Sequence, residues 1–179
     1  AAEDEGFDAA TAALLGAVVA VDLFCLHEAE RPGSRLAPLL HAAGLAEVHF
    51  GAAKGYSGLV ILTTLGTGIG TALIMDGTLV PNTELGHIEI DGLDAETRAS
   101  SYAKTVEHLS YKRWAKRLQK YYSTMERYFW PDLFVVGGGV SKSHEMFLPL
   151  LDLRTPIVPA QLLNRAGAVG AAIAAAGRS

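Results

Sequence analysis

The segment Gly58-Leu59-Val60-Ile61-Leu62-Thr63-Thr64 constrains this chain more than any other. It is a continuous apolar, β-rich run, and so reads as a buried strand. The glycine turn Leu65-Gly66-Thr67-Gly68-Ile69-Gly70 follows, then a second strand over Thr71 to Met75. Asp76-Gly77 is a hairpin signal leading into Thr78-Leu79-Val80. Ile88-Glu89-Ile90 alternates as a further short strand. Helices are expected over Leu36 to Lys54, Asp94 to Lys104, Ser110 to Phe129 and Lys142 to Leu150. In the third of these, Trp114, Leu118, Tyr121, Met125 and Phe129 share one face, and Pro131 stops it. Leu133 to Val136 is a buried strand running into Gly137-Gly138-Gly139, and Thr155 to Val158 is a short strand. Three strands followed by alternating helix and strand imply an α/β layer fold.

The ends of the chain read differently. Residues 1–35 form an alanine-rich, helical segment, with Arg31-Pro32-Gly33-Ser34 as a turn. Residues 36–179 form the α/β domain, closed by a helix of small residues over Arg165 to Ala176. The apolar run Ala12 to Val21 ends at Asp22, short of the ~20 residues a membrane span requires. Ala1 to Asp8 carry four acids and no base, unlike a signal peptide. The net charge of −4 favours neither nucleic acid nor an anionic membrane. The single cysteine, Cys25, precludes an internal disulfide, and no cluster has zinc spacing, which fits a cytoplasmic protein without zinc.

Three motifs carry chemistry. In the Gly66 to Gly70 loop, glycines permit a sharp turn and bring backbone N–H groups close to a phosphate, with the Thr67 hydroxyl as a further donor. A plain tight hairpin between two strands is the alternative. No lysine follows at Walker spacing and the loop leads into a strand, so it is neither a P-loop nor a dinucleotide fingerprint. Glu84-Leu85-Gly86-His87, with Glu96 beyond it, offers carboxylates and an imidazole that can hold several sugar hydroxyls, or else a polar surface loop. Val135 to Ser141 ends a strand in three glycines, as a close nucleotide approach or a simple strand-to-helix turn requires.

In this order the motifs resemble the ROK family (repressors, open reading frames and kinases), which has an actin-like, hexokinase-like fold. Leu62 to His87 follows the family's long signature. Glu96 to Ser100 resembles its downstream glutamate segment, and Ala166 to Ala172 its closing helix. Many members place a cysteine-rich zinc knot after the histidine, whereas this chain has Ile88-Glu89-Ile90-Asp91-Gly92-Leu93-Asp94. That departure, together with Trp130 to Gly139 and Lys142-Ser143-His144-Glu145, resembles the actinobacterial polyphosphate glucokinase branch from about Ala42 to the C-terminus.

The resemblance implies transfer of phosphate from polyphosphate, or ATP, to the 6-hydroxyl of glucose, with Mg²⁺ offsetting charge on the moving group. It implies that Glu84, His87 and Glu96 bind the sugar and that Gly66, Thr67, Gly68 and Gly70 cradle donor phosphates. Gly137, Gly138, Gly139 and Ser141 would lie at the donor or nucleotide end. Lys112, Arg113, Lys116, Arg117 and Lys120 place five positive charges on one helix, as a polyphosphate track or as a solvated face.

The likeness stops before Ala42. No Asp-x-Gly-Gly phosphate hairpin occurs in residues 1–41, and Leu39 stands where the family carries its aspartate base. His41 lies two positions further along, roughly 100° per residue around a helix, and points elsewhere. The absence of an initial methionine fits a fragment, and the abrupt loss of likeness fits a truncated, rearranged or frameshifted gene. The readings left open are a phosphotransferase lobe, a sugar- or phosphate-binding remnant without catalysis, and a ROK-type regulator. Against the regulator, residues 1–41 hold only Arg31 and Arg35 as bases beside seven acids. A homodimer, formed through residues 12–26, would cover apolar surface that a missing lobe leaves open. Loss of a general base costs about 10²–10⁴ in rate. The purified chain is therefore expected to form no glucose 6-phosphate at a useful rate with Mg²⁺ and polyphosphate or ATP; turnover of about one per second, usual for kinases, would contradict this.

Overall fold

The structure, a computed structural model, describes residues 37–81 and 83–162, and the side chains of all of these except 37–42 and 45. The expected N-terminal helical segment, its dimer face, the side chains of Leu39 and His41, and the closing helix lie outside the described residues.

The described chain is a mixed sheet between two helical layers. Strands β1 (Leu59–Leu65), β2 (Ile69–Met75), β3 (Thr78–Val80), β6 (Leu133–Gly137) and β7 (Ile157–Pro159) form one sheet in the order β3-β2-β1-β6-β7. The β1–β2 and β2–β3 pairs are antiparallel, whereas β6 runs parallel to both β1 and β7. A small hairpin of β4 (Glu89–Ile90) and β5 (Leu93–Asp94) stands apart.

The unbroken apolar run has a direct physical explanation. Alternate residues of β1 face opposite layers, and both layers are dry. Leu59, Ile61 and Leu65 join the core built on α4 (Tyr111–Phe129), while Val60 and Leu62 join the second core, with Val48 of α1 (Ala37–Phe50) packed against it. The turn between β2 and β3 has positive φ at both Asp76 (49°) and Gly77 (78°), as its sequence requires.

Helix α4 is anchored at both ends. Ser110 caps it by accepting from the Arg113 amide at 3.3 Å, and Trp130 closes it in the left-handed conformation before Pro131. Trp114, Leu118, Tyr121, Tyr122 and Met125 are completely buried along its inner face. Phe147 meets Trp114 edge-on with ring centroids 4.9 Å apart.

Two expected helices come out differently. The segment from Asp94 to Lys104 breaks into α2 (Glu96–Ala99) and α3 (Ser101–Val106). Ser100 adopts extended backbone and its hydroxyl accepts from the Ala103 amide at 3.1 Å, so it starts a second helix. The break leaves the Ala99 carbonyl to accept the buried Trp114 indole N–H at 3.0 Å. Lys142 to Leu150 forms two 3-10 segments, Gly139–Met146 and Leu148–Leu150, rather than an α-helix. Phe147 leaves helical geometry between them as its ring enters the core, and Pro149 has no N–H to continue an α-helix.

One carboxylate ties α1 to the far edge of the sheet. Glu47 is buried, and it accepts from the amides of Ala52 (2.7 Å), Gln161 (3.1 Å) and Leu162 (2.8 Å). Inside the α4 core the only hydroxyl partner of Thr63 among the described residues is Tyr122, at 2.7 Å. Burial pushes the Tyr122 phenol far above its ordinary range, so it stays neutral. Tyr122→Phe strands the Thr63 hydroxyl and is expected to cost about 1–3 kcal/mol in denaturant unfolding. Adding Thr63→Val removes the stranded partner, so the double variant should lose less than the sum of the two single losses.

Candidate functional site

The parallel pairing of β1 and β6 brings two glycine-rich segments to the same sheet edge. Thr64 lies opposite Gly137 in the register, so both chains leave their strands side by side. Gly138 has φ of 85°, and a Cβ there would lie 2.7 Å from the Leu65 carbonyl oxygen, so only glycine fits against the end of β1. Gly139 by contrast faces open space. Ser141 is buried and its hydroxyl donates to the Gly138 carbonyl at 2.7 Å, which fixes the turn.

The loop between β1 and β2 closes on itself through a Gly66 N–H to Gly68 carbonyl bond of 3.0 Å, and the Gly66 carbonyl accepts from Tyr102 at the start of α3. Among the described residues, the Thr67 and Gly68 amides donate to no protein acceptor, and Thr67 is exposed. These are free backbone donors in a rigid turn, the chemistry an anion needs. Gly70 instead lies in β2 opposite Thr64 and belongs to the ladder.

The Glu84-x-Gly-His segment sits directly on this loop. Leu85–His87 is a 3-10 turn, and the Leu85 amide donates to the Thr71 hydroxyl at 3.0 Å. Gly86 is buried so close to β2 that a Cβ would overlap the Ile69 carbonyl oxygen. The amide of the same Ile69 donates to Glu96 Oε2 at 3.1 Å. His87 Nδ1 lies 2.8 Å from Asp94 Oδ2 and 3.8 Å from Glu96 Oε1. Glu84 precedes the turn and adds to the negative field at His87. The structure thus brings His87 and Glu96 together, while Glu84 makes no hydrogen bond or ion pair with either. It adds Asp94, which the motif did not indicate; its signal in the sequence was a carboxylate closing a tight hairpin at Asp91-Gly92.

His87 is raised above its ordinary value, chiefly by the Asp94 hydrogen bond and then by the Glu96 carboxylate. Ligand atoms of His87, Asp94 and Glu96 lie within 4.8 Å of one another. The trio does not fit Mg²⁺, which takes an octahedral shell of oxygens. Here the ring nitrogen is bonded to one carboxylate, and the other is held by a backbone amide.

The basic face of α4 is partly spent inside the lobe. Arg117 donates to Glu107 at 2.7 Å and to the Arg98 carbonyl at 3.0 Å, and Lys120 pairs with Asp91. Lys112, Arg113 and Lys116 are exposed and form no ion pair among the described residues. No helix among the described residues is long and apolar enough to cross a membrane.

No family model matches the chain. It is 53% identical over 133 residues to polyphosphate glucokinase of Mycobacterium tuberculosis (strain CDC 1551 / Oshkosh), a match covering 74% of this chain and 50% of that protein. The chain therefore spans about half the length of the curated relatives it matches. Among solved structures it resembles the inorganic polyphosphate/ATP-glucomannokinase from Arthrobacter sp. strain KM (56% identity, TM-score 0.76), covering 78% of this chain and 55% of that one. It also resembles a ROK family glucokinase from Streptomyces griseus in complex with glucose and AMPPNP (25% identity, TM-score 0.61), covering 76% of this chain and 64% of that one. The fold is that of ROK, hexokinase-like sugar kinases.

The raised pKa of His87 carries a sign. A histidine raised on folding contributes stability that is fully present below its ordinary value of about 6.5 and is lost as pH rises through the folded value. His87→Gln should therefore destabilise the chain more at pH 5.5 than at pH 9 in urea unfolding.

Proposed function

From its homology to polyphosphate glucokinases over 133 residues, we propose that this chain supplies the sugar- and donor-binding lobe of a glucose phosphotransferase. The reaction moves a terminal phosphoryl group from polyphosphate or ATP to the 6-hydroxyl of glucose. The observation that carries this reading is the sharing of one residue by two motifs. The Ile69 carbonyl seats Gly86 of the Glu84–His87 turn, and the Ile69 amide holds Glu96, while the same residue ends the glycine loop. The proximity of the Glu84–His87 turn and Glu96 to the glycine loop supports this reading, since transfer requires acceptor and donor to lie side by side.

In this reading Glu84, His87 and Glu96 hold sugar hydroxyls, the carboxylates by accepting and the imidazole by either role. The free amides of Thr67 and Gly68 take a donor phosphate. The open edge at Gly139 accommodates the rest of the donor, with Gly137, Gly138 and Ser141 shaping its floor. Lys112, Arg113 and Lys116 form the part of the basic face left to attract a polyanion. The divalent ion usual in phosphoryl transfer neutralises charge on the donor; Mg²⁺ is the ion expected, and it is not placed on the His87 trio. Glucose and polyphosphate or ATP are the partners, and a cytoplasmic homodimer is the expected form.

Calorimetry on the chain tests this directly, with glucose and tripolyphosphate titrated separately. Gly86→Ala should abolish the glucose heat, because the added methyl must displace the turn from β2. Lys116→Glu should weaken tripolyphosphate binding, more so at low salt, and leave glucose unchanged. No glucose heat from the folded parent chain, or equal binding by folded Gly86→Ala, would overturn the sugar site.

A further inference from the structure

Asp94 stands outside the sugar motif, yet it makes the shortest contact to its histidine. Both of its carboxylate oxygens are used. Oδ2 meets His87 Nδ1 at 2.8 Å, and Oδ1 accepts from the Glu96 amide at 3.1 Å. Its own carbonyl accepts from the Thr97 hydroxyl at 2.6 Å. The residue is fixed further by the pairing of β5 with β4, where Glu89 lies opposite Asp94, and by the Ala95 amide donating to the Ile88 carbonyl. The hairpin turns at Asp91 and Gly92, both with positive φ (57° and 73°), and so returns the chain to His87 within a few residues. Asp94 is thus held in one place by the backbone before it touches the ring.

We propose that Asp94 is a positioning residue for His87: it accepts a hydrogen bond from Nδ1–H and leaves Nε2 as the ring atom that meets the sugar. The proposal rests on the reading of His87 as a sugar-binding group. Carboxylates are acceptors only, so the bond at 2.8 Å requires the proton on Nδ1. In neutral His87 the Nε2 lone pair then accepts from a hydroxyl, and in charged His87 the Nε2–H donates to one. In both states the ring orientation is the same. Glu96 cannot replace Asp94 in this role. Its Oε1 stands 3.8 Å from Nδ1, beyond hydrogen-bond reach, and its Oε2 is held by the Ile69 amide. The charged groups that face His87 are Asp94 of β5, Glu96 of α2 and Glu84 ahead of the 3-10 turn, and all three favour the protonated ring. Half of the His87 side chain remains exposed, so its far edge is open to a ligand.

Nitrogen-15 NMR of the His87 ring tests this without any sugar, because the two tautomers give distinct ring shifts. The parent chain should show the Nδ1–H tautomer at high pH and a pKa above the ordinary 6.5. Asp94→Asn keeps the Oδ1 acceptor for the Glu96 amide, but its new N–H₂ can donate to Nδ1 and drive the proton to Nε2. That variant should lower the His87 pKa, convert the tautomer to Nε2–H and weaken glucose binding by about tenfold, the loss expected for a hydrogen bond to a charged group. Asp94→Glu, which restores a carboxylate, should recover the Nδ1–H tautomer and part of the affinity. A parent His87 in the Nε2–H form, or an unchanged tautomer and affinity in Asp94→Asn, would overturn the role of Asp94. His87→Gln separates the two readings. If it binds glucose as the parent does, the sugar site itself is wrong; if it loses glucose while Asp94→Asn keeps it, only the positioning role falls.

Discussion

Burial of β1 on both faces, with β2 on one side and β6 on the other, is the constraint from which the site follows. A central strand with two dry faces is packed into two cores at once, so a slip of one residue would break the fit of both. Val60 and Leu62 then belong to the α1 layer and Ile61 and Leu65 to the α4 layer. With β1 held in register, the antiparallel return of β2 places the glycine turn at its carboxyl end. The parallel β6 delivers Gly137 and Gly138 to the same end. In open α/β sheets that end is where ligands bind, since the strands stop there and the loops diverge. The edge proposed for the donor is therefore a product of strand order, and the glycines are what let the backbone stay close after the strands end.

The sheet was legible because its signals are local. An unbroken apolar run, an Asp-Gly turn and a glycine triplet each specify backbone geometry within a few residues, and all three lie where they were read. The face of α4 was equally plain from spacing, with Tyr122 as the addition, held by the Thr63 hydroxyl and by edge-on packing against Phe134. The misread helices fail for tertiary reasons. Periodicity carries a helix through Ser100, but the serine hydroxyl offers the Ala103 amide a cap, and the Trp114 indole needs the Ala99 carbonyl that the break leaves available. Likewise the segment after Gly139 must bring Phe147 against Trp114, and tight 3-10 turns do so where a regular helix does not.

Within the site, the types of residue were legible and their connections were not. Glu84, His87 and Glu96 could be chosen as groups able to bind hydroxyls, but spacing alone did not show that Glu96 reaches the Ile69 amide across 27 residues. Nor did it show that Gly86 is there for contact with a carbonyl rather than for a left-handed turn; its φ is not among the positive ones. Asp94 was invisible for a related reason. In a segment that many ROK proteins fill with cysteines, an aspartate at the close of a hairpin reads as a turn residue, and only the fold brings it to the imidazole. The basic helix shows the converse. Its five charges are conspicuous in sequence, yet Arg117 and Lys120 serve Glu107 and Asp91 within the lobe.

That division of labour bears on how a lobe whose candidate site is lined by carboxylates could hold a polyanion. Exposed lysines attract phosphate over a Debye length of about 8–10 Å, and that attraction is screened by salt. Backbone amides in a closed turn act at contact distance, are fixed before the ligand arrives, and lose no side-chain entropy on binding. The Thr67 and Gly68 amides are of this kind, because the Gly66–Gly68 bond and the Tyr102 contact already hold the loop. The carboxylates nearby oppose a phosphate at long range, but Glu96 is turned onto the Ile69 amide and Asp94 onto the imidazole, so much of their charge is met locally. Raising the pKa of His87 is the visible consequence of that arrangement. The same contacts that organise the proposed sugar side therefore soften the negative field next to the glycine loop. An acidic site can in this way receive an anion without an array of lysines at its centre, leaving the cations of α4 to act at a distance.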